Sequence, residues 1–289
     1  MPERLLLCTD LDRTLLPNGT QAESPLAREL FSRFVAQPNV SLVYVTGRHK
    51  PLVELAIKNY GLPLPDCVIS DVGTQIYDRH DNHWEDCVDW ENQISSDWQG
   101  KSQADIHALL HGIGALRKQE TEKQNTYKLS YYVPLFVNQD ELMATMSRRL
   151  QDHKINTSLV WSIDEPAGIG LLDVLPQQAG KLRAIEFLMA RGGYSGTETV
   201  FCGDSGNDLS VLSSSIPAIL VANAADEVRT LALARAVAAG NRSALYCAQG
   251  GFANMNGNYS AGILEGIVHY HAKYKNNILA DEETLQCQL

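Results

Sequence analysis

Arg4-Leu5-Leu6-Leu7-Cys8-Thr9-Asp10-Leu11-Asp12 opens on an apolar run too short for a helix and without the polar alternation of a half-exposed strand. A strand buried on both faces of a parallel sheet needs such a run. It stops at a carboxylate, so polar chemistry is expected at the strand's carboxyl end. A helix should follow, with Ser24 as N-cap, Pro25 at the first position, and Leu26, Leu30 and Phe34 along one face. Ser41-Leu42-Val43-Tyr44-Val45 then reads as a second strand that ends at Thr46-Gly47-Arg48, before a helix over residues 51–60 closed by Gly61.

The same rhythm resumes far downstream. Thr199-Val200-Phe201-Cys202 leads into Gly203-Asp204-Ser205-Gly206-Asn207-Asp208, a helical stretch, a strand over residues 218–221, and another helix from about Ala225. Strands and helices that alternate in this way give an α/β fold with a doubly wound parallel sheet. Between them the texture changes: Trp84, Trp90, Trp98 and Trp161 all fall in the middle of the chain. A strand is expected there over residues 127–133, with helices near 104–117 and 139–153. The expected organisation is a core over residues 1–77 and 173–289, interrupted by an inserted α+β domain over 78–172.

Bulk properties narrow the function classes. The chain has 289 residues, 44% hydrophobic and 20% charged, which suits a soluble globular protein with a sizeable core. A formal net charge of -10 argues against nucleic acid as a partner, since such faces need clustered Lys and Arg. A small phosphate can still bind if a divalent metal and helix N-termini supply local positive charge. Six scattered cysteines (Cys8, Cys67, Cys87, Cys202, Cys247, Cys287) contain no CxxC pair, so neither a zinc site nor a disulfide framework is expected. The apolar run at residues 5–8 is too short for a targeting segment or a membrane span. A cytoplasmic protein with no membrane partner is therefore expected.

In a doubly wound sheet, ligands bind beyond the carboxyl ends of the strands. Asp10 and Asp12, Thr46-Gly47-Arg48, and Asp204 with Asp208 all fall at such ends, and Lys181 opens a later helix. Carboxylates gathered in one buried crevice repel unless a hard cation neutralises them, and oxygen ligands suit magnesium. Asp10 is then placed to attack phosphorus, Lys181 and the Thr46 hydroxyl to stabilise equatorial oxygens, and Asp12 to act as acid and base. Taken alone, Asp10 and Asp12 read more readily as strand-ending, helix-capping or solvated acids; the other motifs, in order, favour a site. Gly250, Gly251 and Gly257 lack the GxxxxGK context of a phosphate loop and read as turn residues. The histidines, including His269 and His271, show no ligand spacing, and Cys202 reads as a small core residue. The tryptophans of the inserted region fit sugar stacking and packing equally well.

Asp-Leu-Asp-Arg-Thr at residues 10–14, Thr-Gly-Arg at 46–48, Lys181, and Gly-Asp-Ser-Gly-Asn-Asp at 203–208 resemble, in order and spacing, the haloacid dehalogenase superfamily of phosphatases. The resemblance covers essentially the whole chain and implies a Rossmann-like doubly wound parallel core. The insertion between the second motif and the lysine is similar to the α+β cap domain of class IIB members. Leu172-Asp173-Val174-Leu175-Pro176 and Tyr127-Lys128-Leu129-Ser130-Tyr131 are similar to sucrose-phosphate phosphatases and related disaccharide-phosphate phosphatases. Arg13 replaces the glycine found in most of the superfamily, as sucrose phosphatases also do. The resemblance implies Asp10 as nucleophile and Mg2+ ligand, and Asp12 as general acid and base with its backbone carbonyl on the metal. Asp204 would complete the metal site and Asp208 orient Lys181 or a metal-bound water, while Thr46 and Lys181 hold the phosphoryl group. Gly47, Arg48, Asn207 and, from the cap, Lys128 are the implied substrate contacts. The implied activity is Mg-dependent hydrolysis of a sugar phosphate, with sucrose 6-phosphate or a similar disaccharide phosphate as the specific expectation and a sugar-phosphate synthase as a candidate partner. Another sugar phosphate, a phosphomutase reaction and a non-catalytic binding module stand as alternatives.

Overall fold

The computed structural model describes residues 4–81, 83–164 and 167–286, which leaves Cys287 outside the described residues. Its strands are β1 (Leu5–Thr9), β2 (Val40–Val45), β3 (Cys67–Ser70), β4 (Gln75–His80), β5 (His83–Asp86), β6 (Arg117–Lys118), β7 (Leu129–Val133), β8 (Thr157–Asp164), β9 (Ile169–Pro176), β10 (Thr199–Gly203), β11 (Ala218–Leu220) and β12 (Leu245–Cys247). Eight of them form one sheet in the order β12-β11-β10-β1-β2-β3-β4-β5, and four form a second in the order β6-β7-β9-β8. The large sheet is parallel from β12 through β3 and antiparallel from β3 to β5. The expected α/β core with a separate α+β unit is therefore present.

The period-two alternation of a strand explains how one apolar run serves two cores. Leu5 and Leu7 of β1 join Leu42 and Tyr44 of β2 on one face, against the helices Ala27–Val35, Ser260–Tyr270 and Lys275–Gln286. Leu6 and Cys8 join Val43 and Val45 on the other, against Lys181–Gly192, Leu209–Leu212 and Asp226–Ala238. The second sheet buries one face under the helix Gln139–Asp152, whose Leu142, Met146 and Leu150 recur at i, i+4 and i+8 and meet Leu129, Tyr131, Leu172 and Val174.

One expectation needs correction. The first helix begins at Ala27, after Leu26 in the left-handed region (φ 63), and Ser24 does not cap it; the Ser24 hydroxyl instead accepts the Asn256 backbone N–H at 2.9 Å. A tertiary hydrogen bond has taken the side chain that a local cap would have used. The expected boundaries at residues 78 and 172 fall inside β4 and β9. By sheet membership β4 and β5 extend the core sheet, and all of β9 belongs to the smaller one. Trp90 and Trp98 are fully buried, in the core and the smaller unit respectively, and Trp84 packs on the core from its surface. Packing accounts for Trp90 and Trp98.

From β1 the chain winds outward through β2 and β3, then returns through β10 and winds the opposite way. The strand order therefore reverses between β1 and β10, which opens a crevice beyond their carboxyl ends. Asp10 follows β1 there and Asp204 follows β10.

Candidate active site

Asp10, Asp204 and Asp208 are buried, and each places a carboxylate oxygen within 4.8 Å of the others. Lys181, the first residue of its helix, is 1% exposed and lies between them, with its ammonium 2.7 Å from Asp208 Oδ1 and 3.1 Å from Asp10 Oδ2. One ammonium faces three buried carboxylates. Burial, reinforced by Asp208 and Asp204 and opposed by Lys181, holds the Asp10 carboxyl well above the usual carboxylate range. Burial and then Asp208 push Asp204 up to about 7, against the pull of Arg13, Thr14 and Lys181. For Lys181, burial favours the neutral amine, but Asp10 and Asp208 outweigh it and raise its pKa.

The excess of buried negative charge is what a hard divalent cation relieves, and an all-oxygen donor set fits magnesium. Not every carboxylate is equally free for it. Asp208 Oδ1 takes Lys181, while Oδ2 accepts the backbone N–H groups of Asp204 and Ser205, each at 3.0 Å. This carboxylate organises the turn after β10. Asp204 Oδ1 accepts the Thr14 hydroxyl at 3.0 Å, and its Oδ2 is 3.7 Å from Arg13 Nε. Asp10 Oδ1 accepts the Leu11 N–H at 2.7 Å. Asp10 and Asp204 thus keep the more open lone pairs.

Asp12 lies outside the three-carboxylate cluster. Arg48 grips its carboxylate with two hydrogen bonds, Nε to Oδ2 at 2.7 Å and Nη2 to Oδ1 at 2.6 Å, and Asn18 adds a third at 2.6 Å. Burial opposes ionisation, yet the hydrogen bonds and charge of Arg48, with help from Asn18, bring the Asp12 pKa below the usual range. Arg48, expected as a substrate contact, is thus first a partner of Asp12.

Thr46 is fully buried at the end of β2, and its hydroxyl oxygen accepts the Arg48 N–H at 3.2 Å, which leaves the hydroxyl proton to be given elsewhere. A Cβ on Gly47 would lie 3.9 Å from Asn207 Nδ2, so the Asn207 amide faces this loop. The smaller unit covers the same end of the sheet: a Cβ on Gly206 would meet the Trp161 carbonyl oxygen of β8 at 2.9 Å. Lys128 is not with these groups. Its ammonium pairs at 2.7 Å with Asp71, just beyond β3. Asp71 was missed from sequence, although Cys67-Val68-Ile69-Ser70-Asp71 carries the same signal as β1, an apolar run that stops at an acid.

The sucrose-6F-phosphate phosphohydrolase family model matches residues 3–271. A putative HAD-like hydrolase of Nitrosococcus oceani is 51% identical over 99% of this chain and 78% of its own. Sucrose-phosphatase 1 of Nicotiana tabacum is 30% identical over 78% of this chain, which spans 52% of that longer protein. The X-ray structure of sucrose-phosphatase from Synechocystis sp. PCC6803 in complex with sucrose and phosphate matches with a TM-score of 0.75 at 27% identity, covering 93% of this chain and 98% of that one. The chain is a phosphoric monoester hydrolase of the haloacid dehalogenase superfamily and belongs to the sucrose-6F-phosphate phosphohydrolase family.

Proposed function

We propose that the enzyme hydrolyses a disaccharide phosphate, with sucrose 6-phosphate as the preferred substrate, through an aspartyl-phosphate on Asp10. The observation that carries the chemistry is the buried Asp10 carboxylate held against Lys181 beside Asp204 at the sheet's switch point. A carboxylate oxygen of Asp10 attacks phosphorus, and the bond from phosphorus to the sugar oxygen breaks. Lys181 and the Thr46 hydroxyl stabilise charge on the equatorial oxygens, with Gly47 and Asn207 lining the phosphate's place. Asp12 gives its proton to the departing sugar oxygen, then takes one from the water that cleaves the acyl phosphate, returning Asp10 as carboxylate and releasing inorganic phosphate. For the first of these Asp12 must carry a proton, so Arg48 has to loosen its grip. An incoming phosphate offers that guanidinium a competing bidentate partner.

Asp10 and Asp204, with the Asp12 backbone carbonyl, are the groups that would hold Mg2+, with Asp208 beside them orienting Lys181 or a metal-bound water; the ion would supply charge neutralisation around the phosphoryl group. The disaccharide is favoured by the tobacco and Synechocystis relatives, and discrimination between sugars falls to the cap, because the core motifs meet only phosphate and metal. A cytoplasmic setting accompanies this reading, as does a supply of substrate by a sugar-phosphate synthase. No helix among the described residues is long and apolar enough to cross a membrane.

The test is release of inorganic phosphate from a panel of phosphorylated mono- and disaccharides, with and without Mg2+. Preference for sucrose 6-phosphate and silence after chelation are expected. Equal rates across the panel would overturn the substrate, and phosphate moved between positions of one sugar without release would mark a mutase.

A further inference from the structure

Lys128 and Asp71 are 5% and 2% exposed as side chains and pair at 2.7 Å, yet they come from opposite sides of the cap–core boundary. Lys128 directly precedes β7 of the smaller sheet, while Asp71 opens the turn that leaves β3 of the core. That turn is strained: Asp71 and Val72 both have positive φ, 51° and 60°. Asp tolerates this region, but for a β-branched valine it is an outlier that persists only where the surroundings impose it.

Two sets of contacts impose it. On the core side, the Asp71 N–H donates to the Arg48 carbonyl and the Val72 N–H to the Thr46 carbonyl, each at 3.0 Å. The strained turn is thereby the backbone partner of Thr46-Gly47-Arg48. On the cap side stand the Lys128 ammonium and a second tie, Asn125 Nδ2 to the Thr74 hydroxyl at 2.8 Å. One turn of a few residues touches both the phosphate-binding loop and the cap.

We propose that Asp71 is a positioning residue which, through Lys128, couples the seating of the cap to the geometry of Thr46 and Arg48. This rests on the reading of that loop as the place of the phosphate. With the cap seated, the buried ammonium fixes the Asp71 carboxylate, and the left-handed pair of residues holds the Thr46 and Arg48 carbonyls in place. Without Lys128 the carboxylate is a buried charge lacking its counterion, and water entry between cap and core is the relief open to it. The turn is then free to leave its strained conformation, and the loop with it. Lys128 acts here on the phosphate and not on the sugar, because its ammonium, buried against Asp71, presents almost no surface to a ligand.

Inorganic phosphate tests this, since it has no sugar for the cap to touch. Asp71→Asn, Lys128→Met and the double variant are compared with the parent at fixed Mg2+. The readouts are the inhibition constant of inorganic phosphate against p-nitrophenyl phosphate hydrolysis and amide exchange over residues 46–48 and 70–74. Each single variant is expected to weaken phosphate binding about tenfold and to lower kcat/KM by up to about 100-fold, the scale of a small misplacement of binding groups. The double variant should be no worse than the more damaged single. Exchange at Val72 should rise in all three, and Lys128→Arg should restore part of the loss.

Should Asp71→Asn fail to fold, Asn125→Ala loosens the other tie and should weaken phosphate binding in the same direction. Unchanged phosphate binding and exchange in Lys128→Met, with a raised KM for the disaccharide phosphate alone, would overturn the coupling and return Lys128 to sugar recognition. Additive losses in the double variant would overturn it as well. Exchange is read whether or not the protein turns over any sugar phosphate. An enzyme indifferent to the whole panel, but with faster Val72 exchange in both variants, would refute the substrate and retain the coupling.

Discussion

Asp204→Asn should make the metal-free protein more stable while it abolishes its use of magnesium. Asp204 is 4% exposed, and burial with the nearby Asp208 raises its pKa from 3.8 to about 7. A carboxyl raised in the folded state keeps its proton where the unfolded chain has released it. Its contribution to stability is therefore lost progressively as pH rises from the unfolded value through the folded one, and is level above that. Three pKa units correspond to about 4 kcal/mol, of which about 2 kcal/mol is lost between roughly pH 5.5 and pH 8. Asparagine is of the same size, still accepts the Thr14 hydroxyl through its oxygen, and has no charge to bury. Urea or thermal unfolding in chelator should show the variant ahead of the parent by up to about 4 kcal/mol near pH 8, with the gap narrowing by about half near pH 5.5. At roughly 2–4 °C per kcal/mol for a chain of this size, the gap near pH 8 corresponds to about 10 °C. Saturating Mg2+ should then stabilise the parent, by about 2.7 kcal/mol at a hundred times its Kd, and leave the variant nearly unmoved. Identical unfolding curves at both pH values in chelator, or equal stabilisation of both proteins by Mg2+, would show that Asp204 is neither strained by burial nor part of the cation site.

Asp10→Asn should abolish both phosphoenzyme and turnover for any leaving group. Asp12→Ala should give a burst of about one equivalent of nitrophenolate per site from p-nitrophenyl phosphate, with a phosphorylated protein visible by intact mass; absence of the adduct would reverse the roles given to the two acids. Arg48→Lys keeps the charge but loses the paired hydrogen bonds to Asp12, and should lower kcat by about tenfold or more while moving the pH profile. No change in the profile would disconnect Arg48 from Asp12. Gly73→Ala places a Cβ 2.7 Å from the Lys181 backbone nitrogen at φ 92°, so it should lower stability by about 2 kcal/mol or more and misplace the Lys181 ammonium. A variant with the parent's urea midpoint and kcat would contradict that packing.

The elements legible in the sequence were those whose environment leaves a single pattern. β1 and β2 are buried along almost their whole length and are apolar except for Thr9 and Ser41, so the carboxylate and the Thr-Gly-Arg at their ends stand out. Gly61 in the left-handed region (φ 61) closes the helix Lys50–Tyr60, as an L residue with a side chain rarely does. Where the fold uses a mixed surface the pattern fails. β4 and β5 form the edge of the core sheet, and Gln75-Ile76-Tyr77-Asp78-Arg79-His80 carries no more apolar signal than a strand of the cap. Which role the tryptophans take was equally undecided by pattern: Trp90 packs against Phe187 with ring centroids 5.2 Å apart, and Trp98 against Tyr127 at 6.1 Å. Both contacts join residues too distant in sequence to suggest each other.

The site divides along the same line. That Asp10, Asp204, Asp208 and Lys181 come together follows from topology, because each stands at a strand end or helix start on one edge of the sheet. What each group does with its lone pairs does not follow from topology. Asp208 gives both oxygens to Lys181 and the turn after β10, Asp12 is held by Arg48, and Lys128 is spent on Asp71. Each of these pairings couples segments separated by at least 27 residues or lies within a tight turn, and each redirects a charged group from the role that its motif alone suggests. The consequence is that the loop Thr46-Gly47-Arg48 is held from three sides: by Asp12 through Arg48, by the turn after β3 through the carbonyls of Thr46 and Arg48, and by the cap through Asp71. On the coupling proposed above, a ligand that changes any one of these contacts acts on the other two. On the function and the coupling proposed above, substrate entry, release of Asp12 from Arg48 and seating of the cap would belong to one equilibrium.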